Sequence, residues 1–211
     1  MNRIILENVS KQIRGVEILN EINVEFVSGR IYGLCGCNGS GKTMLLRMLA
    51  GLIRPSSGSV IVDGKVLHKD IDFPENMGVL IENPDFWKNY TGKEALYALA
   101  AINKKIGVKE IDDAMKRVGL DPDDKRTIKK YSLGMKKRLG IAQAVMEFPE
   151  LLLLDEPTNA LDKDGVKTID DLIIKEKSDD SIIILASHNK ADLDICDLIL
   201  EIENGRITWE I

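Results

Sequence analysis

The stretch Gly36-Cys37-Asn38-Gly39-Ser40-Gly41-Lys42-Thr43 decides the fold, because it satisfies the phosphate-loop pattern G-x-x-x-x-G-K-[ST]. The apolar residues 31–35 before it predict a buried strand, and the leucines at 45, 46 and 49 predict a helix after it. In such a strand–loop–helix unit the backbone N–H groups converge on phosphate oxygens, and the helix N-terminus adds its positive end. The segment therefore predicts a nucleotide-phosphate site in an α/β domain.

Two side chains of this loop have distinct expected roles. Lys42 is expected to reach the β- and γ-phosphates, and Thr43 to hold Mg²⁺ through its hydroxyl. The other nucleotide-binding positions predicted here are Gly36, Cys37, Asn38, Gly39, Ser40, Gly41 and Met44. The alternative, a glycine-rich turn without a ligand, does not explain why the flanking strand and helix are both in place.

Two further apolar runs end in polar residues. Residues 151–154 are followed at once by Asp155 and Glu156, and residues 182–186 by Ser187 and His188. The carboxyl ends of parallel strands line the ligand crevice of an α/β sheet, so these side chains are expected there. Asp155 suits a Mg²⁺ role, and Glu156 can polarise a water for attack on the γ-phosphate. An acidic turn and a structural histidine remain the alternatives.

A helix starting after Ser132 carries unusual charges. Ser132 is a good N-cap, but Lys136, Lys137 and Arg138 in the first turns oppose the helix dipole. An exposed N-terminus with a free serine hydroxyl and nearby positive charge predicts an anion site. A solvated basic face with an ordinary cap stays open as the alternative.

The order of patterns predicts one domain with an inserted lobe. Residues 1–84 and 149–211 form an α/β core with a closing hairpin around Asn204-Gly205, and residues 85–148 form a mainly helical lobe. Within the lobe, Thr91 and Glu94 have the spacing of a capping box, and the helix opened by Ser132 is expected to run to about residue 148.

Composition excludes several classes of protein. The 211 residues carry 29 Lys+Arg against 34 Asp+Glu, a net charge of −5 that argues against nucleic acid as a partner. No apolar run approaches the roughly 20 residues of a membrane-spanning helix. The three cysteines form no disulfide framework or C-x-x-C pair, which fits a reducing cytosol.

Taken together, these motifs resemble the ATP-binding subunit of an ABC transporter over essentially the whole chain. Residues 36–43 resemble its Walker A loop, residues 151–156 its Walker B strand and catalytic glutamate, and residues 132–135 its signature motif. Residues 159–162 resemble the D-loop, and His188 the switch histidine. The resemblance implies a P-loop NTPase (RecA-like) fold with an antiparallel β subdomain.

The resemblance also implies cofactors and partners. Two copies, or this chain and a homologous ATPase, would enclose two molecules of ATP with Mg²⁺ head to tail. Ser132, Gly134, Met135 and Asp162 would then contact the nucleotide held by the opposite subunit. Hydrolysis would drive a separate transmembrane permease from the cytoplasmic face of the membrane.

Three departures from the family pattern are visible. Ile13 stands where an aromatic ring usually stacks on adenine, and Leu133 and Met135 replace a glycine and a glutamine of the signature. Glu82 stands where a glutamine usually senses Mg²⁺. The run at residues 80–84 and the signature region resemble peptide-antibiotic exporters, including the lantibiotic-immunity and bacitracin-resistance groups.

Two rival functions and one local question stay open at this point. Residues 189–192 fit N-K-x-D and residues 162–165 fit D-x-x-G, as in a regulatory GTPase, although Asp162 lies seven residues past the end of its strand at Asp155. A non-transport ABC ATPase acting on ribosomes or DNA is the second rival. The clustered aromatic residues are either core or an exposed docking groove for the permease; they are Phe86, Trp87 and Tyr90.

Overall fold

Two sheets and five α-helices form the computed structural model, which describes Met1 and residues 3–82 and 84–209. The strands are β1 Arg3–Ile13, β2 Val16–Val27, β3 Arg30–Cys35, β4 Ser57–Val62, β5 Lys65–Val66, β6 Met77–Leu80, β7 Leu151–Asp155, β8 Ile182–Ser187, β9 Leu198–Glu203 and β10 Arg206–Trp209. The helices are α1 Lys42–Leu49, α2 Gly92–Asn103, α3 Val108–Arg117, α4 Leu133–Val145 and α5 Lys163–Glu176. Short 3₁₀ turns occupy Ile128–Lys130 and Lys190–Leu193.

The larger sheet positions the site. Its strand order is β10-β9-β3-β8-β7-β6, and all the pairings are parallel except that of β10 with β9. Every residue of β7 and β8 is buried, which explains their uninterrupted apolar runs. Cys35 pairs with Ser187 and Asp155 with Ala186, so β3, β8 and β7 end at one edge of the sheet.

Two hydrophobic clusters cover the faces of this sheet. On one face, α1 and the antiparallel sheet β2-β1-β4-β5 pack against residues such as Tyr32, Leu153 and Ile184. On the other face, α2, α3, α4 and α5 pack against the alternate residues of the same strands, such as Leu152 and Ile183. The expected α/β class with an antiparallel β subdomain is thus confirmed.

Helix α4 approaches the sheet without side chains between them. A methyl group on Gly78 of β6 would overlap the carbonyl oxygen of Ala144 and the ring of Pro149, so only glycine allows the contact. α4 also packs against α3. α4 belongs to the predicted helical lobe, residues 85–148, but packs directly on the sheet of the α/β core. The boundary between lobe and core at residue 148 therefore stays a prediction.

The local predictions can now be compared with the structure. Thr91 and Glu94 form the expected capping box, and Ser132 caps α4, which ends at Val145, short of the expected residue 148. Strands β1 and β5 were not predicted. In β1, register shifts between Leu6 and Lys11 break the alternation that would have revealed it. The second strand of the expected closing hairpin around Asn204-Gly205 is described from Arg206 to Trp209, and residues 210 and 211 lie outside the described part.

Among the described residues, no helix has both the length and the apolar composition that crossing a bilayer requires.

Candidate nucleotide site

The phosphate loop lies between the end of β3 and the start of α1. Gly41, the residue before the helix, has φ 112°, a left-handed conformation that favours glycine. The helix begins at Lys42, so its free N–H groups face the loop. The structure therefore forms the strand–loop–helix unit that the sequence predicts.

Polar side chains of the loop are buried within it. Lys42 is only 5% exposed, and its ammonium donates to the carbonyl oxygens of Gly36 at 2.5 Å and Cys37 at 3.0 Å. The hydroxyl of Ser40 is buried and has no hydrogen-bond partner within residues 3–82 and 84–209. Buried polar atoms are normally paired, so an unpaired hydroxyl in this loop fits a site completed by a polar ligand.

Asp155 and Thr43 bring oxygen atoms together beside the loop. The Thr43 hydroxyl donates to Asp155 Oδ2 at 2.7 Å, and Asp155 is 4% exposed. The pKa of the Asp155 carboxyl is raised, mainly by burial and also by the negative charge of Glu156. The hydrogen bond from Thr43 and the positive charges of Lys137 and Lys42 act in the opposite direction and lower this pKa. A hydroxyl and a carboxylate are hard oxygen donors that suit a small divalent cation.

Glu156 and His188, predicted separately, are in direct contact. Glu156 Oε1 accepts hydrogen bonds from the backbone N–H of His188 at 3.0 Å and from its Nδ1 at 2.8 Å. An ionised carboxylate can only accept, so this contact requires a proton on Nδ1. Glu156 also has φ 49°, in the left-handed region that side-chain-bearing residues rarely adopt.

Lys42, Thr43, Asp155 and Glu156 line one cavity of about 430 Å³, which is within the usual range for ligand pockets, whereas Ser40 and His188 lie outside its lining. Sequence reasoning missed two polar members of its wall, Lys137 and Asn159, and one apolar member, Ile18. The full lining is Ile18, Asn38, Gly39, Gly41, Lys42, Thr43, Met44, Glu82, Lys137, Asp155, Glu156 and Asn159.

A second cavity of about 700 Å³ collects the residues expected to act on an opposite subunit. Its lining includes Ser132, Gly134, Met135, Arg138 and Asp162. The phosphate loop does not contribute to this lining. The structure therefore separates the predicted nucleotide contacts into two groups on one chain.

The basic helix start differs from its prediction in two ways. The Ser132 oxygen is not free, because it accepts a hydrogen bond from the Met135 N–H at 3.1 Å as the N-cap, which leaves only its proton to donate. The cations also do not form one basic face. Lys137 is buried against Asp155, and Arg138 donates to the carbonyl of Val118, because consecutive helical residues lie about 100° apart.

Glu82 lines the first cavity but is already paired. Its carboxylate accepts from the Arg47 guanidinium at 2.6 Å, and its side chain is 63% exposed. Ile13, expected near the base, is partly exposed, and Ile18 is the isoleucine that lines this cavity. Asn83, the residue after Glu82, lies outside the described part of the chain.

The aromatic cluster divides between the two roles considered. Phe86 is buried in the core, whereas Trp87 and Tyr90 are 52% and 44% exposed, with ring centroids 5.6 Å apart.

The elements of the GTPase alternative serve structural roles instead. Asp162 caps α5 by accepting from the Gly165 N–H at 3.0 Å, and it lines the second cavity. The Asn189 side chain accepts from the Ala191 N–H at 3.2 Å, which caps a 3₁₀ turn. Neither residue lines the cavity of the phosphate loop.

The fold and the first cavity define a P-loop nucleotide-binding protein. The family model described as "ABC transporter" matches residues 19–159, about two thirds of the chain. The chain therefore belongs to the ABC transporter family, as an ATP-binding subunit.

Several relatives support this assignment, and a solved structure has the same fold. The chain is 46% identical over 201 residues to an uncharacterized ABC transporter ATP-binding protein of Bacillus subtilis, covering 95% of this chain and 92% of that protein. It is 37% identical to a bacitracin transport ATP-binding protein of Bacillus licheniformis, covering 97% of this chain and 68% of that protein. It is 35% identical to a lantibiotic transport ATP-binding protein of Streptococcus pyogenes, covering 97% and 89%. A bacterial ABC transporter cassette described as dimeric has the same fold, with a TM-score of 0.87 at 22% identity and coverage of 97% and 96%.

The cysteines provide a test of the loop. Cys37 is exposed. In contrast, burial, and to a smaller extent the negative charge of Asp197, raise the pKa of Cys196 to about 12, so that thiol stays protonated near neutral pH. We expect a maleimide to label Cys37 first, and ATP to slow this labelling severalfold, as measured by mass spectrometry of peptides over time. In Lys42→Ala the protection by ATP should disappear. Equal labelling of Cys37 with and without ATP in the parent would contradict its place in the site.

Proposed function

We propose that this chain hydrolyses Mg²⁺-ATP with Glu156 as the group that activates water. The observation that carries the proposal is the position of Glu156, one residue beyond buried Asp155, in the same cavity as Lys42 and Thr43. Thr43 and Asp155 would hold the Mg²⁺ ion through their oxygens. Bound Mg²⁺ would supply positive charge that offsets the negative charge of the phosphates.

His188 has a supporting role in this proposal. Its backbone N–H and Nδ1 both bond to one oxygen of Glu156, so they fix the carboxylate while the second oxygen can take a proton from water. Because Nδ1 donates to Glu156, Nε2 can donate to a phosphate oxygen only in the imidazolium form, in which both ring nitrogens carry protons. Lys42 would bind the β- and γ-phosphates after leaving the carbonyls of its own loop.

The second cavity supports a head-to-tail pair of subunits. Ser132, Gly134, Met135 and Asp162 lie together, but they line a different cavity from the phosphate loop. One chain therefore cannot apply both groups to one nucleotide. Two copies, or this chain and a homologous ATPase, would complete two sites, each with a phosphate loop from one subunit and the start of α4 from the other.

Glu156→Gln tests the chemistry. We expect hydrolysis to slow by on the order of 10² or more, because an amide is a poor base, while ATP still binds. We also expect an ATP-bound dimer to accumulate, since turnover no longer separates the subunits. The measurements are a phosphate-release assay and size-exclusion chromatography with Mg²⁺-ATP.

Glu150→Gln is the matched control, because Glu150 lies immediately before β7, at the opposite end of the strand from Glu156. It should hydrolyse ATP at the parental rate per folded molecule. A Glu156→Gln protein with parental activity would remove Glu156 from its proposed role.

Glu82 is proposed to link the metal to the loop that follows β6. The Glu82 carboxylate would release its hydrogen bond with the Arg47 guanidinium in order to contact Mg²⁺ or a water molecule bound to it. Glutamine keeps a neutral carbonyl but attracts a cation less strongly than carboxylate does. We expect Glu82→Gln to need more Mg²⁺ for half-maximal ATPase activity and to retain partial activity, and Glu82→Ala to lose activity clearly.

Magnesium titration of the ATPase rate measures both effects. Glu25→Gln is the control, because Glu25 forms an exposed pair with Arg3 on the antiparallel sheet. Superimposable curves for the parent and both Glu82 variants would mean that Glu82 is not involved.

We further propose that the coupled transport is export of a peptide antibiotic by a separate transmembrane permease at the cytoplasmic face. The support is the similarity to proteins named for bacitracin and lantibiotic transport. The exposed pair Trp87 and Tyr90 lies a few residues past the end of β6, where it can receive an apolar segment of the permease.

Trp87→Ala tests this contact. We expect the variant to fold and to bind ATP normally. When the tagged variant is purified from membranes, the amount of co-purified permease should be at least severalfold lower, since aromatic anchors dominate binding at interfaces. Mass spectrometry identifies and quantifies the polytopic protein. Phe148→Ala, which removes another exposed ring just before β7, should recover the parental amount. Loss of soluble folded Trp87→Ala protein would instead indicate a core role.

A further inference from the structure

Lys137 is a buried cation with a single described hydrogen bond to the sheet. It lies in the second turn of α4 and is 5% exposed. Its ammonium donates to the backbone carbonyl oxygen of Asp155 at 3.1 Å, and its side chain lines the phosphate-loop cavity. The sequence treats this residue only as one of three consecutive cations near a predicted anion site, without a contact to the Asp155–Glu156 segment.

Burial of this charge has an energetic cost that packing alone does not explain. Desolvation lowers the pKa of the Lys137 ammonium, and the carboxylates of Asp155 and Glu156 partly offset that effect. Replacing a whole buried ion pair by apolar residues is often neutral or stabilising, so a buried ammonium beside carboxylates is weak evidence for a stabilising role. The ammonium is therefore poorly accounted for as a stabilising core residue.

The carbonyl that Lys137 binds belongs to the peptide group joining Asp155 to Glu156. The N–H of the same peptide group donates to the Ala186 carbonyl at 2.8 Å. This one peptide plane is thus held on both sides, by β8 through its N–H and by α4 through its C=O. Glu156 leaves the plane in the left-handed conformation, with φ 49°, so the orientation of the plane sets the direction of its side chain.

The same helix also reaches the second cavity. Ser132 and Gly134, at the start of α4, line that cavity, whereas Lys137 lines the first. Lys137 is therefore the described side chain through which α4 contacts the backbone that carries Glu156.

We propose that Lys137 is a positioning residue, which holds the Asp155–Glu156 peptide so that the Glu156 carboxylate faces the attacking water and which ties that carboxylate to the start of α4. The proposal rests on the proposed role of Glu156. Lys137 itself neither accepts a proton nor binds the nucleotide in this scheme.

The test compares Lys137→Met, which keeps the length of the side chain but removes its charge, with Lys137→Arg. Lys116→Met is the control, since it removes an exposed charge from the neighbouring helix α3 and lies outside the lining of both cavities. We expect Lys137→Met to lower kcat by on the order of tenfold or more, as for misplacement of a catalytic group, with KM for ATP changed less than about threefold. Lys137→Arg, which keeps a donor, should recover part of the rate, and Lys116→Met should behave as the parent.

Two further readouts distinguish positioning from simple stabilisation. Hydrogen exchange without nucleotide should be faster in peptides covering residues 152–160 of Lys137→Met, while peptides of α1 and of the antiparallel sheet exchange as in the parent. In the double variant Lys137→Met/Glu156→Gln, the rate should fall no further than in Glu156→Gln alone, because Lys137 acts through Glu156.

The outcomes distinguish a failure of the positioning role of Lys137 from a failure of the proposed role of Glu156. A parental kcat in Lys137→Met, or a loss that matches a lower folded fraction, would overturn the positioning role while Glu156→Gln still lost hydrolysis. Independent, multiplicative losses in the double variant would also overturn it. Parental hydrolysis by Glu156→Gln would instead overturn the proposed function itself.

Discussion

The burial of β7 and β8 on both faces is the constraint on which the rest of the structure depends. Side chains along these strands contact α1 and the antiparallel sheet on one side and the helices on the other. No polar residue is accommodated until a strand ends, so Asp155, Ser187 and His188 occur only at that edge. Because β3 ends at the same edge, the phosphate loop meets these side chains without any further specialisation of the fold.

The backbone stores strain where this edge carries its chemistry. Glu156 adopts a left-handed φ, a conformation that costs roughly 1–3 kcal/mol for a residue with a side chain and persists only where its surroundings impose it. Here the surroundings are the Ala186 carbonyl, two contacts from His188 and, at the C=O of the Asp155–Glu156 peptide group, Lys137. Three carboxylates and two ammonium groups line the cavity, and the buried ones among them, Asp155, Lys42 and Lys137, each have a charge of opposite sign nearby.

Much of this site could be predicted from the sequence, because local patterns encode it. The phosphate loop depends on glycines at fixed spacing, and Asp155 and Glu156 follow an apolar run directly. The contact between Glu156 and His188 needed only the rule that parallel strands end together. Lys137 could not be found in this way, because it is one of three consecutive cations and only the docking angle of α4 selects which one is buried. The pairing of Glu82 with Arg47 likewise joins residues 35 positions apart through the folded chain.

The contact between Gly78 and Ala144 gives α4 a mechanical property. At that point backbone packs on backbone, and no side chain can change rotamer to absorb a movement, so the helix cannot approach the sheet there. At about 1.5 Å per residue, Lys137 lies about 10 Å along α4 from this contact and Ser132 about 18 Å. A rigid rotation of α4 about this contact would therefore displace Lys137 by about six tenths of the displacement at Ser132.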